Sequence, residues 1–125
     1  MNNNLKHTWE TYVASWKAAT SAAKRTLFEK SLDSACGYND PLVNIKGWDE
    51  LEAYMLDFHR QVPGGHFVTT YFLAHNNKSI ARWEMKNGDN FVLGDGISYG
   101  EYNKSGLLVS MTGFFELPNQ QTETV

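Results

Sequence analysis

Phe91–Glu116, FVLGDGISYGEYNKSGLLVSMTGFFE, is the stretch on which the fold turns. Phe91 to Tyr102 and Leu107 to Glu116 read as strands, and Asn103-Lys104-Ser105-Gly106 supplies the turn chemistry of a hairpin between them. Along the first strand side chains alternate between faces, so Gly94, Gly96, Ser98, Gly100 and Tyr102 share one side. Leu93, Asp95, Ile97, Tyr99 and Glu101 share the other. A row of small residues that faces a helical layer leaves a cavity; one that faces water only weakens the strand or marks a bend. The Gly-x-Gly spacing is not a nucleotide loop, because strand rather than helix follows it. On the second strand Leu107, Val109, Met111 and Phe115 alternate with Leu108, Ser110, Thr112 and Phe114, and a bulge would exchange these faces.

Towards the N-terminus, His66 to His75 and Ser79 to Met85 read as two further strands, with turns at Asn76-Asn77-Lys78 and Asn87-Gly88-Asp89. Consecutive strands joined by short turns pair antiparallel. Ahead of them the apolar period lengthens to that of a helix. Trp9, Tyr12, Val13, Trp16 and Ala19 form one stripe, and a second short helix over Lys24 to Leu32 buries Leu27, Phe28 and Leu32. A third runs from Trp48 to Gln61, with Leu51, Tyr54, Met55, Phe58 and Val62 on one face and Asp49 and Glu50 at the positive end of its dipole. Between the second and third, Cys36 to Pro41 breaks the pattern as a strand end or a turn. Pro41 has no backbone donor and holds Asp40 extended. Helices followed by a meander predict one α+β domain over residues 1–125, its N-terminal helices covering a curved, mostly antiparallel sheet, with 118–125 as a polar tail.

Composition removes several function classes. Lys and Arg total 11 against 14 Asp and Glu, a formal charge of −3, which argues against a nucleic-acid partner. No apolar stretch reaches the length of a signal core or a membrane span, so the expectation is a cytoplasmic protein with no membrane partner. Cys36 is the single cysteine, which excludes an internal disulfide and a cysteine-rich zinc site. His66 and His75 have opposite parity on their strand, and neither His7 nor His59 has a partner at ligand spacing. No metal and no cofactor are expected.

Aromatic residues make up 14% of the chain, a supply of large apolar area with polar tips. Among them sits Asp40, extended between Tyr38 and an apolar segment. Pointing inward, its partly desolvated carboxylate is a general base; pointing outward, it caps local backbone donors.

Tyr12-Val13-Ala14, Asp40-Pro41, Gly47 opening the third helix, Ile80-Ala81-Arg82-Trp83-Glu84-Met85 and the closing run Gly106 to Glu116 occur in order across nearly the whole chain. In that order they resemble the SnoaL-like, ketosteroid-isomerase-like branch of the nuclear-transport-factor-2-like superfamily. The resemblance implies a cone-shaped α+β fold, a pocket between sheet and helices, and a homodimer through the outer face of the sheet. In ketosteroid isomerase an aspartate of an Asp-Pro pair moves the proton, while a tyrosine and an aspartic acid hold the enolate. On that resemblance Asp40 is the base, Tyr12 the oxyanion donor and Ser98 stands where the acid would be, a weaker second donor. The expected walls of the pocket are Trp16, Tyr38, Tyr54 and Phe58 from the first half of the chain. Trp83, Met111 and Phe115 come from the second half. The implied activity is proton abstraction beside the carbonyl of a small, largely apolar compound, giving isomerisation, cyclisation or elimination. The alternative is a non-catalytic ligand sensor or a protein-binding adaptor of the same fold.

Overall fold

The computed structural model describes residues 2–117, so the expected tail at 118–125 lies outside the described residues. Helix α1 (Asn2–Lys17) buries Leu5, Trp9, Tyr12 and Trp16, spaced four, three and four residues apart, which places all four rings and chains on one face. It ends two residues before Ala19, which the periodicity had assigned to its stripe. The interruption is Thr20, whose hydroxyl accepts from the Ala23 amide at 3.1 Å and caps α2 (Ser21–Ser31).

Leu32 opens β1 (Leu32–Asp40), which turns through Pro41 and Leu42 into β2 (Val43–Lys46). The expected strand end and the expected turn are therefore both present, as a hairpin pairing Asp40 with Val43. Helix α3 (Gly47–Gln61) carries Leu51 and Met55 into the core, and Glu50 reaches back to the Lys46 amide at 2.9 Å. Strands β3 (His66–His75), β4 (Lys78–Lys86), β5 (Val92–Tyr102) and β6 (Leu108–Phe114) complete a curved, unclosed sheet of order β2-β1-β6-β5-β4-β3. All pairs are antiparallel except β1 with β6.

Bulges decide which side chains face inward. Between β5 and β6 the register steps from Glu101↔Ser110 to Tyr102↔Leu108, leaving Val109 as the extra residue. This exchange of faces lets both Leu108 and Met111 point into the core, with Phe114 outside and 59% exposed. Thr70 is a second extra residue, between Thr69↔Trp83 and Tyr71↔Arg82. The result is an inner face bearing Ser79, Ala81, Trp83, Ser98 and Tyr102 under the helices.

Candidate functional site

Asp40 ends β1 at the hairpin, and its two carboxylate oxygens face different partners. Oδ1 accepts from the amides of Leu42 at 2.8 Å and Val43 at 3.2 Å, the local capping arrangement. Oδ2 accepts from the Tyr38 hydroxyl at 2.6 Å and the Tyr54 hydroxyl at 2.8 Å, and through them the carboxylate lines an interior cavity. The inward and the outward roles thus coexist on one side chain. Burial is the main force holding the Tyr38 and Tyr54 hydroxyls above their ordinary titration range, with the Asp40 charge adding to it.

The cavity and its mouth enclose about 1040 Å³. Tyr12 lines it from α1, 3% exposed, and burial first, then the nearby Cys36, Asp40 and Tyr54, push its hydroxyl well above the usual range; a hydrogen bond from the Trp16 side chain opposes them. Its proton is therefore retained throughout the physiological range. Ser98 lines the cavity from β5, and its Oγ accepts from the Trp83 indole Nε1 at 3.0 Å. Its own hydroxyl proton has no acceptor among the described residues, so it remains available to a ligand.

Gly113 makes the space between these groups. A Cβ built there would lie 3.5 Å from the Asp40 Cβ, 3.7 Å from Ser98 Oγ and 3.9 Å from the Tyr38 hydroxyl. The glycines of β5 behave differently. At Gly96 a Cβ would collide with the Trp83 ring and the Phe114 carbonyl, and at Gly100 it would meet Leu108, Ser79 and Trp9. The row of small residues therefore leaves no hole beside Gly96, where the Trp83 ring fills the space, or beside Gly100, where Leu108 and Ser79 fill it with the Trp9 ring behind them.

Of the residues expected in the wall, Trp16, Tyr38, Tyr54, Trp83 and Phe115 line this cavity. Phe58 and Met111 do not. Phe58 stacks on Phe67 and meets Trp16 edge-on behind the wall, and Met111, 1% exposed, packs between β1 and β5. Sequence reasoning missed the hydroxyl of Tyr54 as a partner of Asp40, the Trp83–Ser98 bond and the opening at Gly113, none of which has a local signature. Among the described residues no three His, Cys, Asp or Glu side chains converge as metal ligands. His59 bonds the Trp16 carbonyl and His66 the Gly64 carbonyl. No described helix is long and apolar enough to cross a membrane.

No protein-family model matches the sequence, and no curated protein matches it. Solved structures do match. A candidate isomerase of the SnoaL-like family from Agrobacterium tumefaciens superposes with a TM-score of 0.83 at 22% identity, over 92% of this chain and 99% of that one. A candidate SnoaL-like polyketide cyclase from Jannaschia sp. CCS1 gives 0.77 at 10% identity, over 97% and 91%. A de novo designed protein with a curved β-sheet gives 0.73 at 10% identity, over 98% and 93%, so the architecture alone carries no chemistry. The chain has the fold of the SnoaL-like proteins of the nuclear-transport-factor-2-like superfamily.

Proposed function

We propose that this protein binds a small, largely apolar carbonyl compound in the cavity and moves a proton on the carbon beside the carbonyl. The observation that carries the reading is the meeting of Asp40, Tyr12 and Ser98, from three separate elements, on one aromatic-walled space that Gly113 keeps open. Asp40 takes the proton on Oδ2. Tyr12 donates to the enolate oxygen as charge develops there, and Ser98, its oxygen held by Trp83, is a second and weaker donor. The isomerase and cyclase descriptions of two structural neighbours are in keeping with this reaction class. With a serine in place of a second acid, an enolate as demanding as a steroid dienolate is poorly served.

The test is hydrogen–deuterium exchange at the α-carbon of a panel of linear and cyclic ketones in heavy water, followed by NMR. Asp40→Asn should slow exchange by about 10²–10⁴ while leaving ketone affinity within about threefold. A second reading, a non-catalytic ligand-binding protein, is favoured by one feature. A carboxylate offers about four acceptor positions, and each oxygen of Asp40 already accepts two hydrogen bonds. Catalysis then requires one tyrosine to yield its place to the substrate. Ketone binding without any exchange in the wild type would establish this second reading.

Assembly follows from the outer sheet face. Leu73, Ile80 and Tyr99 form one cross-strand row there, and Tyr71, Ile97 and Phe114 flank Arg82 in the next. Leu73 is 54% and Tyr71 52% exposed in the single chain. A contiguous apolar surface of this kind closes on itself through an isologous two-fold contact. Sedimentation at micromolar concentration should give a homodimer, and Ile80→Glu should return it to monomers. A wild-type monomer would count directly against this arrangement.

A further inference from the structure

The chain has four tryptophans, and three of their indole N–H groups are in use. Trp83 Nε1 donates to Ser98 Oγ at 3.0 Å, Trp48 Nε1 donates to the Asp33 carbonyl at 3.1 Å, and the Trp16 side chain bonds the Tyr12 hydroxyl. Trp9 is the exception. It precedes Tyr12 by three residues on α1, is 2% exposed, and its Nε1 is enclosed without a hydrogen-bond partner. Among the described residues Thr69 Oγ1 is the one other buried side-chain polar atom in that condition. An indole nitrogen only donates, so a lone pair must be brought to it. An unfilled donor in the interior is destabilising, and folded proteins keep few of them.

The Trp9 ring spans the boundary between the packed part of the inner face and the cavity. Its Cζ3 corner stands 3.5 Å from the point where a Cβ on Gly100 would lie, and Nε1 is at the opposite end of the fused rings, away from that contact with β5. The indole lines the cavity beside Tyr12, with ring centroids 5.2 Å apart and planes inclined at 59°. The acceptors nearest the reaction are engaged elsewhere. Each oxygen of Asp40 accepts two hydrogen bonds, and Ser98 Oγ accepts from Trp83.

We infer that Trp9 determines specificity, its N–H holding a second acceptor oxygen of the ligand one helical turn from the carbonyl that Tyr12 holds. The inference rests on the carbonyl-binding reading, which fixes the first oxygen. Trp9 and Tyr12 lie on the same face of α1 one turn apart, so the two oxygens are separated by about 5 Å. The two oxygens of a 1,4-dicarbonyl compound span that distance. A hydroxyl in the second position would bring a proton that needs an acceptor of its own, and Asp40 and Ser98 Oγ are already engaged. A carbonyl brings none. The substrate class is thus an apolar compound with two carbonyl groups rather than one.

Three cyclohexanones that differ only at the carbon opposite the ketone test this by NMR titration. They are cyclohexane-1,4-dione, 4-methylidenecyclohexanone, in which a methylidene replaces the second oxygen at nearly the same shape, and 4-hydroxycyclohexanone. A hydrogen bond to an otherwise unpartnered buried donor comes to about tenfold in affinity. The dione should therefore bind about ten times more tightly than the methylidene ketone, with the hydroxy ketone no tighter than the methylidene ketone. Trp9→Phe should remove the preference. Because Trp9 belongs to the core, a second measurement uses the wild type. The dione should move the Trp9 indole N–H proton signal downfield as it gains an acceptor, and the methylidene ketone should not. Equal binding of the dione and the methylidene ketone, an indole signal that the bound dione leaves in place, or a preference that survives Trp9→Phe would overturn the inference while leaving the carbonyl-binding reading intact. A hydroxy ketone as tight as the dione would overturn the dicarbonyl class. Failure of all three ketones to bind would overturn both readings.

Discussion

Gly100 on β5 and Gly113 on β6 lie on adjacent strands of the same inner face, yet their missing side chains have opposite consequences. At Gly100 the vacated volume is taken by Leu108 at 2.9 Å, Ser79 Oγ at 3.0 Å and the Trp9 ring at 3.5 Å. At Gly113 the nearest atoms stand back at 3.5 to 3.9 Å, and all three belong to residues that line the cavity. One half of the inner face is therefore packed core, sealed by α1, and the other half is site. A glycine in a strand removes volume in both cases; the length of the side chain opposite decides whether a hole remains.

The largest effects should come from reversing these two glycines. Gly100→Val forces a branched side chain into Leu108 and Ser79, and overpacking of this kind costs about 1–3 kcal/mol. For a domain of this size the melting temperature falls by roughly 5–10 °C. Gly113→Leu places its side chain between Asp40 and Ser98, where a Cβ meets only ordinary contacts. Its melting temperature should stay within about 3 °C of the wild type, while ketone affinity falls about a hundredfold or more. Calorimetry and a thermal melt on the two variants separate the halves. If Gly113→Leu bound ketones normally, the cavity between Asp40 and Ser98 would not be the ligand site.

The same division explains what could be read from the chain alone. The helices and the β3–β6 meander announce themselves by period. Leu5, Trp9, Tyr12 and Trp16 repeat at helical steps, and Asn103 to Gly106 carries turn chemistry whatever surrounds it. The parallel pairing of β1 with β6 leaves no such trace, because Tyr38 and Met111 meet across more than half the chain. Asp40-Pro41 marked a special position by local backbone logic, and the side chain is indeed held there by Leu42 and Val43. Its second pair of donors depends on where α3 sets down Tyr54, which is a matter of packing angle rather than spacing. Phe58 and Met111 were assigned to the wall for the same reason. Their hydrophobicity is that of a wall residue, and only the layer in which each sits distinguishes core from cavity.

The packed half also holds a charge, which gives the smallest and most selective prediction. Lys24 on α2 is fully buried, and its Nζ donates to the Ser15 carbonyl at 2.8 Å in the last turn of α1, one turn beyond Tyr12. Burial lowers its titration to about 8 from an ordinary value near 10.5, against an opposing pull from Glu52. Between those two pH values the unfolded chain holds the proton more tightly than the folded one, so this residue's contribution to stability rises with pH across the window. Below pH 8 the full cost of burying the ammonium is present. Lys24→Met keeps the length and removes the charge, and should stabilise the protein by about 1–2 kcal/mol at pH 7, the gain being trimmed by the loss of the bond to Ser15. By pH 9.5 most of that advantage should be gone, because the wild-type amine is then largely neutral. The comparison must be made as a difference between the two proteins. Cys36, pushed up to about 11 by burial, makes the fold of both lose stability as pH rises past 9, and the raised Tyr12, Tyr38 and Tyr54 hydroxyls add to that loss above 10. Those contributions cancel in the difference. Urea unfolding of both proteins at pH 7 and 9.5 measures it, and a difference that does not change with pH would mean that Lys24 titrates as an exposed lysine does, and that the helical layer over the packed half admits water.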